Sequence, residues 1–198
     1  MVIMKFNKLS GGTFLMGTND NHGFTEDFEG PATNVNVKSF EISPTTVTNR
    51  EFREFVQDTG YKTTAEKLGT SFVFHIFVDD DKKEKYKHVA GAPWWLMIQG
   101  ANWSHPYGPD SSIEQMNDYP VVHVSLIDAL MYCKWAHTEL PTEAQWEYAA
   151  RGGVNTEYPW GTELNQNDTF HANTWQGNFP WDNTADDGYV GTAPVEAY

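Results

Sequence analysis

The segment from Asn173 to Tyr189 reads Asn-Thr-Trp-Gln-Gly-Asn-Phe-Pro-Trp-Asp-Asn-Thr-Ala-Asp-Asp-Gly-Tyr. Its side-chain and backbone oxygens are the kind that a hard cation such as Ca²⁺ requires. The segment has neither helical nor strand periodicity, yet it carries Trp175, Phe179, Trp181 and Tyr189 among Asn, Asp and Gly. A merely solvated connector has no use for so many rings, and long ordered loops inside compact domains tend to be functional. Asn173 and Asp187 also have a second reading, as turn residues that bond their own backbone. The density of oxygens, glycines and anchoring aromatics favours the cation site.

Other chemistry is thinner. Trp94-Trp95 and Trp103 suit either core packing or the wall of a peptide groove, where aromatics supply rigid contact area. Seven histidines are scattered with no pair at ligand spacing. There is no phosphate-cradling glycine loop, His-Glu-x-x-His helix or Gly-x-Ser-x-Gly turn. Cys133 is the single cysteine, which excludes an internal disulfide and a thiolate-rich metal site. It is expected on the apolar face of a helix, as a buried structural thiol rather than a nucleophile.

Several elements must hold these residues. Gly11 to Gly17 reads as a strand, Asn21 to Gly30 as an acidic, turn-rich loop, and Ala32 to Ile42 as a second strand. Thr48 and Glu51 form a capping box for a helix through Phe52, Phe55 and Val56 that stops at Gly60. Ser71 to Val78 is an apolar run, followed by a charge-dense, solvated insertion over Asp79 to Lys87. Ser125 caps a helix with Asp128 in its first turn and an apolar face of Ala129, Leu130 and Cys133. Thr142 and Gln145 cap another, ended by Gly152-Gly153. Beyond Tyr158, turns dominate. Short helices, isolated strands and aromatic loops indicate an irregular α+β fold.

Composition narrows the partners. The 198 residues suit one domain with a real core. Thirteen Lys+Arg against 27 Asp+Glu give a net charge of −14, a field that repels nucleic acid and favours cations and basic peptides. The opening Met-Val-Ile-Met-Lys-Phe lacks a signal-peptide pattern, and no stretch approaches transmembrane length, so a cytoplasmic protein without a membrane partner is expected.

Assembled in order, these segments closely resemble the formylglycine-generating enzyme, or sulfatase-modifying factor, family. The resemblance rests on Gly12-Thr13-Phe14-Leu15-Met16-Gly17, Ser71-Phe72-Val73-Phe74, Ala92-Pro93-Trp94-Trp95, Gly100-Ala101-Asn102-Trp103 and Pro120-Val121-Val122-His123-Val124-Ser125. It continues through Leu140-Pro141-Thr142-Glu143-Ala144, Trp146-Glu147-Tyr148-Ala149-Ala150-Arg151-Gly152-Gly153 and the loop from Asn173. It covers nearly the whole chain, as the N-terminal portion of a single sulfatase-modifying-factor domain over residues 1–198.

The resemblance implies an elaborated fold related to C-type lectins. It also implies an O₂-using oxidoreductase that converts the cysteine of a Cys-x-Pro-x-Arg motif in a sulfatase polypeptide into Cα-formylglycine. Carried over residue by residue, it places a Ca²⁺ site on the side chains of Asn173 and Asp187 and the carbonyls of Thr174 and Tyr189. Ser71, Trp94 and Trp95 fall near the substrate groove. In the family a C-terminal cysteine pair binds Cu(I), and thiolates suit that soft ion. No counterpart of that pair precedes Tyr198, so the chain by itself is expected to be inactive, with Cu(I) expected only in a longer protein. Glu139 replaces the usual Arg before Leu-Pro-Thr-Glu, and Leu126 a usual Trp. The alternative is a non-catalytic peptide- or glycan-binding module, a pseudoenzyme, although the Glu-Pro-Asn and Gln-Pro-Asp signatures of sugar-binding calcium loops are absent.

Overall fold

The computed structural model describes residues 5–20, 23–166 and 169–198. The opening Met-Val-Ile-Met and Asn21, the first residue of the acidic loop, lie outside them. The architecture is α+β, with short helices and small antiparallel sheets. Two compact units emerge: Thr45–Leu140 with Ala172–Tyr198, and residues 5–44 with Pro141–His171. Among the described residues no helix is long and apolar enough to cross a membrane.

In the second of these units, β1 (Asn7–Leu9) pairs with β4 (Phe40–Ile42), and β2 (Gly12–Met16) with β3 (Thr33–Val37), all antiparallel. The single strand expected over Ala32 to Ile42 is thus two. Its apolar positions change parity between Val37 and Phe40, and one unbroken strand would turn one set to the wrong face. Helix α5 (Glu143–Arg151) carries the expected Thr142–Gln145 capping box and ends on left-handed Gly152. Its Tyr148 hydroxyl donates to the Gly11 carbonyl at 2.8 Å, and its ring meets Phe14 edge-on.

In the other unit, α1 (Asn49–Thr59) starts at the Thr48–Glu51 box and stops at Gly60, as its sequence dictates. Helix α2 (Thr64–Leu68) was not anticipated, although Thr63-x-x-Glu66 and Gly69 mark both of its ends. Strand β5 (Thr70–Phe74) and strand β6 (Lys87–Val89) flank β7 (Ala92–Gln99). Between β5 and β6, the charge-dense segment forms the four-residue helix α3 (Asp80–Lys83), braced by ion pairs Lys82–Asp79 and Lys83–Asp80. Val73, Leu96, Ile98 and Ala101 make the core of this sheet.

Helix α4 (Leu126–Ala136) begins at a Ser125–Asp128 capping box. Its buried face differs from the expected one. Asp128 and Tyr132 are buried, Ala129 and Cys133 are half-buried, and Leu130 is 51% exposed. Tyr132 stacks on Phe52 and meets Phe55 edge-on, while Trp135 leans on Phe55. Large rings fill more of the interface with α1 than Leu130 could, and they set the helix rotation. Leu126, Ile127, Leu130 and Met131 are left exposed.

Asp128 is the polar exception in this core. Its carboxylate accepts from Ser125 N–H at 2.7 Å, Ser125 hydroxyl at 2.9 Å, Tyr61 hydroxyl at 2.9 Å and Thr64 N–H at 2.9 Å. Burial alone would raise its pKa, but the bonds from Ser125, Tyr61 and Thr64 outweigh that and hold it below the usual carboxylate range. A carboxyl group whose folded pKa is depressed stabilises the fold above its unfolded pKa of about 4 and loses that contribution as pH falls through the lower folded value. Asp128→Ala is expected to cost about 3 kcal/mol in urea unfolding at pH 7, since it strands several buried donors. The variant's stability should also decline less than the wild type's below pH about 4, by the share that Asp128 contributes. A cost within about 0.5 kcal/mol would contradict this role.

Candidate functional site

The loop from Asn173 to Tyr189 is anchored through its rings. Phe74, at the end of β5, packs against Trp175 and Phe179 with centroids at 5.6 and 6.0 Å. Phe179 also meets Trp94 at 5.3 Å and Trp175 at 5.2 Å, both edge-on. The next residue, His75, is buried, and its Nε2 donates to the Pro180 carbonyl at 2.8 Å. Its ring meets Trp181 at 5.5 Å. The aromatics therefore clamp the loop to the end of β5.

Within the loop, three of the four residues expected to hold a cation, Thr174, Asp187 and Tyr189, are joined through the Asp187 carboxylate, while Asn173 bonds Gly191 instead. Thr174 N–H donates to Asp187 Oδ2 at 3.2 Å, and Tyr189 N–H donates to Asp187 Oδ1 at 3.0 Å. The Asn173 amide nitrogen donates to the Gly191 carbonyl at 2.7 Å, which leaves Oδ1 as its acceptor end. Gln176 was not singled out from sequence. Its Nε2 donates to the Thr174 carbonyl, to Thr174 Oγ1 at 3.1 Å and to Asp187 Oδ2 at 3.1 Å. Three oxygens thus converge on one partially positive group. Among the described residues no three or more His, Cys, Asp or Glu side chains gather as a metal site. A cation here would rest on amide and carbonyl oxygens beside the single carboxylate of Asp187, a donor set that suits a hard ion.

A second feature lies against β5 and β7. A cavity of about 290 Å³ is lined mainly by apolar side chains, among them Phe72, Phe74, Trp95, Tyr107 and Met116, with Asn49 and His123 as polar members. Of the three residues expected near a groove, Trp95 lines this cavity and is 39% exposed. Trp94 is its strand neighbour, does not line the cavity, and meets Phe179 instead. Ser71 stands at the side, its Oγ 2.8 Å from Nδ1 of the cavity residue His123. The other ring nitrogen of His123 lies 2.8 Å from the Pro106 carbonyl. Burial pushes the His123 pKa down, with the Pro106 bond opposing it. Sequence spacing could not pair Ser71 with His123, because the contact is made only when β5 meets the turn before α4.

Cys133 is free and half-buried on α4. With one thiol, these residues do not compose a two-thiolate Cu(I) site. Glu139 is exposed, and Leu126 is 67% exposed.

Residues 5–198 match the sulfatase-modifying factor enzyme 1-like domain. The chain is 48% identical over 200 residues to the formylglycine-generating enzyme of Mus musculus, covering all of this chain and 54% of the mouse protein. It is 49% identical over 191 residues to that of Thermomonospora curvata, covering 96% of this chain and 63% of the relative. The inactive C-alpha-formylglycine-generating enzyme 2 of Bos taurus is 46% identical over 193 residues, covering 96% of this chain and 62% of that protein. Among solved structures, PvdO from Pseudomonas aeruginosa superposes with a TM-score of 0.59 at 26% identity, covering 98% of this chain and 62% of that one. The chain thus spans between half and two thirds of the length of these relatives.

The loop's path depends on Gly177, whose φ is 99° and whose absent Cβ would sit 2.6 Å from the Asp182 carbonyl oxygen. Gly177→Ala is therefore expected to destabilise the loop by about 1–3 kcal/mol. The measurement is the urea midpoint together with the rate of proteolytic cleavage between Asn173 and Tyr189. Unchanged values for both would refute the steric constraint.

Proposed function

The chain belongs to the sulfatase-modifying factor enzyme 1-like domain family, and from that premise we propose that it supplies the scaffold, a calcium clamp and one wall of the peptide groove of a formylglycine-generating oxidoreductase. The reaction of such an enzyme oxidises the cysteine of a Cys-x-Pro-x-Arg motif in a sulfatase polypeptide to Cα-formylglycine with O₂. The observation that carries the groove is the aromatic wall of Phe72, Phe74 and Trp95 beside the Ser71–His123 pair. An extended peptide gains rigid, low-entropy contact from such rings and orientation from the few polar groups among them. The net charge of −14 attracts the arginine of the motif. Trp94, held against Phe179, supports the groove from the loop side.

In this reading Asn173, Thr174, Asp187 and Tyr189 hold Ca²⁺, which supplies a fixed positive charge that ties the two ends of the loop. Gln176 Nε2 already satisfies part of the same oxygen set. A second reading is a non-catalytic peptide-binding module, supported by the similarity to the inactive Bos taurus relative. Peptide capture is common to both readings. Turnover separates them only in a longer protein that carries this domain together with a cysteine pair, assayed as aldehyde formation on a Cys-x-Pro-x-Arg peptide.

For the calcium clamp, Asp187→Ala is expected to lower thermal stability chiefly when Ca²⁺ is present. A ligand bound only by the folded state adds RT ln(1 + [L]/Kd), or about 2.7 kcal/mol at a hundredfold excess over Kd. Equal melting shifts with and without Ca²⁺ would remove the site. For the groove, a Cys-x-Pro-x-Arg peptide is expected to bind more tightly than its scrambled control, and Trp95→Ala to weaken that binding about tenfold or more. Binding no better than the scrambled peptide would end the groove reading.

A further inference from the structure

The Ser71–His123 contact has a defined polarity. A carbonyl oxygen can only accept, so the His123 Nε2 lying 2.8 Å from Pro106 O carries the proton. Burial disfavours the charged ring, and in the neutral form Nδ1 is then a bare lone pair. Ser71 Oγ, at 2.8 Å from that lone pair, is consequently the donor. The only hydroxyl proton is directed to the ring, and two oxygen lone pairs remain for anything else. His123 makes both bonds from a left-handed backbone with φ of 57°, an uncommon conformation that the two ring bonds help to hold.

Resting on the peptide-groove reading above, we propose that His123 is a positioning residue that turns Ser71 into an obligate hydrogen-bond acceptor for a donor on the bound peptide, either a backbone N–H or the cysteine S–H. A freely rotating hydroxyl serves donors and acceptors alike. A hydroxyl committed to an imidazole lone pair discriminates, because a carbonyl or carboxylate placed against it meets only lone pairs. Because Ser71 is half-buried and His123 lines the cavity, that mismatch has less water to relieve it than on an open surface. Selection of an N–H or S–H at this point follows from the fold and requires no charge on Ser71 or His123.

Two independent measurements test this on the full chain. In a long-range ¹H–¹⁵N spectrum of ¹⁵N-histidine-labelled protein, His123 is expected to show a protonated Nε2 and an unprotonated Nδ1. Ser71→Ala should move the Nδ1 resonance and leave Nε2 protonated. A proton on Nδ1 overturns the proposal whatever the peptide does. In binding titrations with a Cys-x-Pro-x-Arg peptide, Ser71→Ala and His123→Ala are each expected to weaken affinity about tenfold, the worth of one hydrogen bond. His123→Asn should recover most of that loss, since Asn tolerates a left-handed backbone and can return an acceptor to Ser71. Peptides N-methylated at single amides, and one with alanine for the cysteine, locate the donor. The peptide that no longer distinguishes wild type from Ser71→Ala is the one that has lost it. Equal binding of the unmodified peptide by wild type, Ser71→Ala and His123→Ala overturns the acceptor role while leaving the groove intact. A wild type that ignores the peptide overturns the groove reading and the acceptor role with it, and the spectrum alone still decides the tautomer.

Discussion

A buried carboxylate without donors is among the costliest groups a fold can contain, and the arrangement around Asp128 answers that cost. Its oxygens take bonds from Ser125 at the start of α4 and from Tyr61 and Thr64 at the approach to α2, and the Thr64 and Ser125 hydroxyls lie 2.7 Å apart. Two helix starts are thereby held to one point. His123 lies two residues before Ser125, and α2 passes through Gly69 directly into β5 and Ser71. The clamp thus sets the separation of the two residues whose side chains meet at the edge of the cavity.

The loop from Asn173 to Tyr189 obeys a different economy. It has no ladder of backbone bonds to draw on, so its rings and its oxygens divide the task. Phe74 and His75 grip it from β5 through Trp175, Phe179, Pro180 and Trp181. Asp187, Thr174 and Gln176 close it upon itself. Packing decides where the loop lies and polar convergence decides its shape, which is why both residue classes are dense in one stretch. The same Phe74 also meets Trp95 edge-on at 5.2 Å, so loop anchor and cavity wall share a ring.

Much of the local structure was legible because its signals are local. Thr48, Ser125 and Thr142 announce helices through side chains that satisfy orphan amides three residues on, and Gly60 and Gly152 end helices through a conformation few other residues adopt without cost. The Thr63–Glu66 box is equally local, but the helix behind it is only the five residues Thr64–Leu68, too short to show an apolar periodicity of its own. The buried face of α4 departs from its apolar pattern for a nonlocal reason. Leu130 is more apolar than Asp128 by any scale, but Tyr132 and Trp135 had rings of α1 to meet, and Asp128 had donors waiting. The break between β3 and β4 lay between, visible as a parity change yet explained only by two different partner strands.

From the sequence alone came the family resemblance, the α+β class, the helix caps and the loop in which oxygens and rings are concentrated, because each of these is written in residues adjacent along the chain. Tertiary structure decided which residues touch. It brought Gln176 to the oxygens of Thr174 and Asp187, placed Trp95 but not Trp94 on the cavity, and set His123 against Ser71 with Pro106 behind it. Hydrogen-bond polarity is a property of such contacts. A serine and a histidine far apart in sequence carry no tautomer and no direction of donation until the fold adds a carbonyl that can only accept.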